Sequence, residues 1–134
     1  MLMTKASEYA LLSLILLAKA DKPSDSETLA KELDISKSFL AKILQSMARA
    51  DILNSFKGVN GGFTLAKDPK EISVQQIICA VEGKGPAVFD CTQKEKECPS
   101  EKSSTCQIWP FINKLQGKID YFLDSLTLEE ILKV

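Results

Sequence analysis

The period of the hydrophobic positions changes several times along the chain, and each change marks an element. Residues 4–20 are apolar nearly all round, the pattern of a helix buried on most sides. Asp21-Lys22-Pro23-Ser24 breaks it. The next stretch, to about Leu33, turns Leu29, Ala30 and Leu33 inward as a short second helix. Ser24 and Glu27 have capping-box spacing at its start, with Ser26 as a competing N-cap. Asp34-Ile35 is a turn, and Ser36 is a good N-cap for a third helix over Lys37 to Ala50. Its Leu40, Ile43, Leu44 and Met47 fall at i, i+3, i+4 and i+7, on one helical face.

Beyond Ala50 the pattern becomes that of strands. Ile52–Lys57 and Gly62–Ala66 are short strand-like runs, and Asn60-Gly61 between them predicts a tight hairpin turn. Asp68-Pro69 closes the hairpin. Ser73 and Gln76 form a second capping box, with Ile72 and Ile77 placed as a hydrophobic staple. A fourth helix therefore runs from Val74 to Glu82, and Gly83 ends it. After Cys106, Ile108, Phe111, Ile112, Leu115, Ile119, Phe122 and Leu123 recur at spacings of three and four, predicting a helix to about Asp124 with Pro110 in its first turn. Ser125 and Leu126-Thr127 restart a short last helix through Leu132. This order gives a mainly α fold with a small β-hairpin: a winged helix-turn-helix followed by a long helix suited to pairing two chains. The winged helix-turn-helix is expected to span residues 1–83, and a loop with the long pairing helix residues 84–134, packed with the first as one compact domain.

The polar positions carry the candidate chemistry. Opposite its apolar stripe, the third helix shows Lys37, Ser38, Ala41, Lys42, Gln45 and Arg49. Cations and hydroxyls hold phosphates, and amides read base edges, so this face suits a major groove. A solvated helix face explains the same composition. The short-helix, turn, longer-helix order and the following hairpin favour DNA. The candidate contacts are Ser36, Lys37, Ser38, Phe39, Lys42 and Gln45, with Lys57 and Asn60 on the wing. Lys57 at the base of the wing suits a phosphate or the minor groove, or is an ordinary exposed lysine.

The formal charge of −1 argues against a generally basic nucleic-acid binder. It is uneven, however. Residues 36–63 hold Lys37, Lys42, Arg49 and Lys57 against Asp51 alone, and binding follows local potential. Histidine is missing altogether, which removes the commonest metal ligand and catalytic base. No nucleophile–base pair or phosphate loop stands out, and an enzyme is not expected.

Three of the four cysteines, Cys91, Cys98 and Cys106, lie in one charged, polar stretch with gaps of six and seven residues. Such a loop has no packing use for thiols, whereas soft sulfur converges on zinc or iron–sulfur clusters. A structural zinc wants four closed ligands, and a metal-free disulfide switch also fits three thiols. Cys79, among aliphatics, reads as a small core residue. Tyr9–Ala18 imitates a signal peptide, but Glu8 stands where a positive region belongs, and the run is too short to cross a membrane. A cytoplasmic protein is expected, with its thiols reduced and no membrane partner.

Taken together, Met3-Thr4-Lys5 with Tyr9-Ala10, Ile35-Ser36-Lys37-Ser38-Phe39-Leu40, Gly58–Ala66, Ile77–Gly83, the three loop cysteines and Leu126-Thr127-Leu128 resemble the IscR/NsrR family of bacterial winged-helix regulators, the Rrf-two family. The resemblance covers essentially the whole chain. It implies a homodimeric transcription regulator, a repressor, acting on double-stranded DNA at a near-palindromic operator. It also implies an iron–sulfur cluster, 2Fe-2S rather than 4Fe-4S, on Cys91, Cys98 and Cys106 with one non-cysteine ligand. Two departures stand out: the cysteine gaps are longer than in the best-known members, and no histidine follows the third cysteine. Some members carry a carboxylate near the start of the first helix that reaches the partner's cluster, which makes Glu8 the candidate fourth ligand. The alternative for Glu8 is a simple favourable charge at a helix N-terminus.

Overall fold

The computed structural model describes residues 3–88 and 106–134. Six helices and one hairpin are described: α1 (Lys5–Lys19), α2 (Ser26–Leu33), α3 (Lys37–Arg49), β1 (Leu53–Phe56), β2 (Gly62–Leu65), α4 (Val74–Glu82), α5 (Trp109–Ser125) and α6 (Leu128–Leu132). A single 3-10 turn, Pro69–Glu71, precedes α4. The architecture is mainly helical with a two-stranded antiparallel wing, as expected.

The main core lies where α1, α2, α3 and α4 meet. Leu14, Leu40, Leu44, Met47, Ile72, Ile77 and Leu128 are fully buried in it. Each such side chain contributes about 1.5–3 kcal/mol over an exposed one. A smaller cluster of Val74, Ile78 and Leu123 seats α5 on α4. The staple residues Ile72 and Ile77 are both fully buried, and the Ser73–Gln76 capping box is made in both directions. Gly83 closes α4 in the left-handed conformation, φ +76°. The end of the chain is sewn to the start of α4: Val74 N–H donates to Leu126 O at 2.9 Å and Leu128 N–H to Ile72 O at 2.8 Å.

Three local expectations change. First, Asp25 caps α2, accepting the Thr28 N–H at 2.7 Å. Neither Ser24 nor Ser26 can do so: Ser26 is already helical, and the backbone of Ser24 exchanges two hydrogen bonds with Phe63 of the wing. Second, the wing does not turn tightly on Asn60-Gly61. Phe56 pairs with Gly62, leaving a five-residue loop, and the positive φ angles fall on Gly58 and Gly62. A two-residue turn of the expected type needs positive φ at its central residues, and Asn60 does not adopt it. Third, α1 is less enclosed than its composition suggests, because Leu12 and Glu8 face outward.

Gly62 fixes the wing to the body. Its φ is +141°, and a Cβ there would stand 2.6 Å from the backbone of Ser24. The residue has to be glycine for the wing to bridge to the α1–α2 connection.

Candidate nucleic-acid interface and cysteine loop

Helix α3 is divided cleanly. Leu40, Ile43, Leu44 and Met47 are buried, while Lys37, Ser38, Lys42, Gln45 and Arg49 are exposed. Ser36 caps the helix by accepting the Phe39 N–H at 3.2 Å, and its hydroxyl lies 2.9 Å from that of Ser38. The cap leaves the Ser38 hydroxyl at the first turn, on the exposed side. Phe39 is shared between two uses. Its ring meets Tyr9 of α1 edge-on, centroids 6.0 Å apart, yet 39% of its surface stays open. Arg49 donates to Ser46 at 3.3 Å and so lies along the helix surface. Lys37 stands 3.7 Å from Glu27 of α2. Among the described residues neither Lys42 nor Lys57 is ion-paired.

Lys57 and Asn60 are both exposed on the wing loop. Asn60 borders an open trough of about 900 Å³ that Lys19, Lys22 and Thr28 also line. The predicted contacts on α3 and those on the wing therefore all lie at the surface.

At the cysteine loop, Cys91 and Cys98 lie outside the described residues. Cys106 is a free, half-buried thiol three residues before α5. Gln116 of α5 holds the loop's entry: its Oε1 accepts the Val88 N–H at 2.9 Å, and its Nε2 donates to Pro86 O at 2.7 Å. Asp120 fixes the same amide at 2.8 Å. Both described ends of the loop thus belong to α5. Cys79 is half-buried rather than fully in the core. Burial first, and then the carboxylates of Asp120, Glu82 and Asp124, push its thiol up from the ordinary range. A thiol kept protonated in this way is a poor ligand and nucleophile.

Glu8 is half-exposed on the outer side of α1, where it accepts from Lys5 at 2.8 Å. Among the described residues no three potential ligands of one chain converge, and Glu8 faces away from its own core.

Sequence reasoning missed Glu82, the last residue of α4. Its Oε1 accepts from the Ser7 hydroxyl at 2.6 Å, the Thr4 hydroxyl at 2.7 Å and the Thr4 N–H at 3.3 Å. Burial works against its charge, but the hydrogen bonds from Ser7 and Thr4 outweigh it, aided by Lys84, and hold the carboxyl below its ordinary value. Glu82, immediately before Gly83 and the stretch that leads to the cysteine loop, therefore ties the end of α4 to the N-cap and first turn of α1. The only signal in the sequence was a carboxylate at a helix C-terminus, where the dipole disfavours it.

The chain matches known regulators over its length. Residues 3–134 match the Rrf2 family, described as iron-dependent transcriptional regulators. The helix-turn-helix regulator IscR of Photorhabdus laumondii subsp. laumondii is 27% identical over 133 residues, covering 98% of this chain and 79% of that one. Among solved structures, CymR, the global cysteine regulator of B. subtilis, superposes with a TM-score of 0.72 at 25% identity, covering 98% of this chain and 95% of that one. IscR of T. potens superposes with a TM-score of 0.68 at 26% identity, covering 98% and 85%. With the two-faced α3, the wing and the long α5 in place, the match over residues 3–134 shows that this chain belongs to the Rrf2 family of transcriptional regulators.

Proposed function

We propose that the protein is a homodimeric, cytoplasmic repressor that reads a near-palindromic operator with α3 and the wing and senses iron–sulfur, redox or nitric oxide status through its cysteine loop. The observation that carries the DNA reading is the open face of α3, where Ser38, Lys42 and Gln45 stand clear of a fully packed opposite side. Gln45 is the amide suited to a base edge, and Lys37, Lys42 and Lys57 are suited to phosphates. Ser36 and Phe39 shape the N-terminal turn that approaches the groove, and Asn60 lies at the wing loop. The dimer reading rests on α5 and its N-cap, where Ile108, Phe111 and Phe122 are 61%, 66% and 58% exposed. Exposed large apolar side chains along one helix favour a second copy as cover.

The donor set suits a cluster. Cys91, Cys98 and Cys106 supply soft sulfur, and Cys106 is a free, half-buried thiol. Glu8 of the partner chain is the proposed fourth ligand, because it faces outward and, among the described residues, its carboxylate is held by the exposed Lys5. A 2Fe-2S cluster bound there would supply chemistry sensitive to oxidation and nitric oxide. The likeness to IscR supports this reading. A second reading is a thiol switch within the same loop that needs no metal, for which the free thiol of Cys106 is suited.

The DNA reading is tested on a site selected from random-sequence duplexes by the wild-type protein. Lys57→Ala should weaken binding to every sequence and flatten the salt dependence by about one unit of slope. Gln45→Ala should instead relax preference at one base pair by about 1–3 kcal/mol. Unchanged affinity and specificity in both variants would show that this face does not meet DNA.

A further inference from the structure

We propose that Glu27 limits DNA affinity by withholding Lys37 from phosphate. This inference rests on the reading that α3 faces DNA. Lys37 is the first residue of α3, the position from which a cation reaches the backbone beside the groove. Its ammonium, however, lies 3.7 Å from one oxygen of Glu27, whose other oxygen lies 3.7 Å from Lys31. One carboxylate thus engages both cations on this side of the motif. The surroundings reinforce it. Residues 25–37 contain Asp25, Glu27, Glu32 and Asp34 against Lys31 and Lys37, so an acidic helix borders the basic one. Asp25 already accepts the Thr28 N–H at 2.7 Å, so the N-terminal turn of α2 is served by its own carboxylate rather than offered to a phosphate.

The pair is built to exchange. Lys37 and Glu27 side chains are 62% and 58% exposed, and an ion pair of that length between exposed groups is weak and screened by salt. A phosphate can therefore take Lys37 from Glu27, but its attraction for the ammonium is partly offset by the ion pair that breaks. Every duplex meets this cost, whatever its sequence, so base-edge hydrogen bonds carry a larger share of what binding remains.

The test uses the purified full chain and fluorescein-labelled 30-base-pair duplexes, one selected by the wild-type protein and one of unrelated mixed sequence, titrated by anisotropy over a potassium chloride series. Glu27→Gln should tighten binding to both duplexes by about five-fold at low salt, the effect of one unit charge a few ångströms away in a water-like medium. It should also steepen the salt dependence, by up to about 0.9 for one further phosphate neutralised. In a Lys37→Ala background the same substitution should give no tightening. Tightening that persists in that background would show that Glu27 acts by general repulsion, and the proposal would be wrong. Unchanged or weaker binding by Glu27→Gln would overturn it as well. If Lys37→Ala, Lys42→Ala and Gln45→Ala each leave binding unchanged, the assignment of α3 to DNA fails, and the proposal fails with it. Circular dichroism of each variant confirms that α2 is intact.

Discussion

Replacing Glu82 by alanine removes the acceptor of three hydrogen bonds that join the end of α4 to the start of α1. Ser7 is fully buried, so its hydroxyl would lose its partner without gaining water. An unsatisfied buried donor costs about 1–3 kcal/mol. The two hydrogen bonds from Thr4 are exposed, and losing them adds about 0.5–1 kcal/mol. Glu82→Ala should thus lower stability by about 2–3 kcal/mol, or about 8–12 °C in Tm for a chain of this size. Thermal and urea denaturation at fixed protein concentration measures it. Ser7→Ala and the double variant complete a cycle, which should return a coupling of about 1–2 kcal/mol. The pH dependence follows from the carboxyl being held below its ordinary value of 4.5. A group depressed on folding stabilises above its unfolded pKa. The gap between wild type and Glu82→Gln should be constant above about that ordinary value and shrink as pH falls through the folded one. A loss under about 0.5 kcal/mol for Glu82→Ala, or no coupling to Ser7, would refute the account of this joint.

Two further perturbations test other parts of the fold. Gly62→Ala should cost at least about 2 kcal/mol, because the new Cβ meets the Ser24 backbone at a positive φ, and should loosen the wing in hydrogen exchange. Sedimentation at micromolar concentration should show a dimer, and Phe111→Glu with Phe122→Glu should give a folded monomer; a wild-type monomer would refute α5 as the pairing surface.

Much of the fold was legible because local chemistry and long-range packing agreed. Ser73 and Gln76 sit before a strongly apolar run, and the α4 they predict has the observed bounds. Ser36 and the four apolar residues of α3 behave likewise. The errors arose where the two levels competed. Ser24 has capping chemistry, but its backbone is drawn into the wing, and Asp25 takes its place. Asn60-Gly61 has turn chemistry, but the register of Phe56 with Gly62 sets the loop length. At the candidate site, the exposed face of α3 followed from helical period alone. The Glu27–Lys37 pair and the Glu82–Ser7 joint did not, since each links elements whose approach no local pattern encodes. Gln116 was hidden in an apolar stripe, and only the fold places it at the loop entry.

Whether the loop cysteines hold a cluster is tested most directly by anaerobic purification followed by visible absorbance and iron and acid-labile sulfide analysis. The wild type should be brown, with iron and sulfide in equal amounts. Cys91→Ser, Cys98→Ser and Cys106→Ser should each be colourless, while Cys79→Ser keeps its colour, consistent with its raised thiol pKa. A colourless wild type containing zinc or no metal, or a folded Cys79→Ser protein that loses its cluster, would contradict the account.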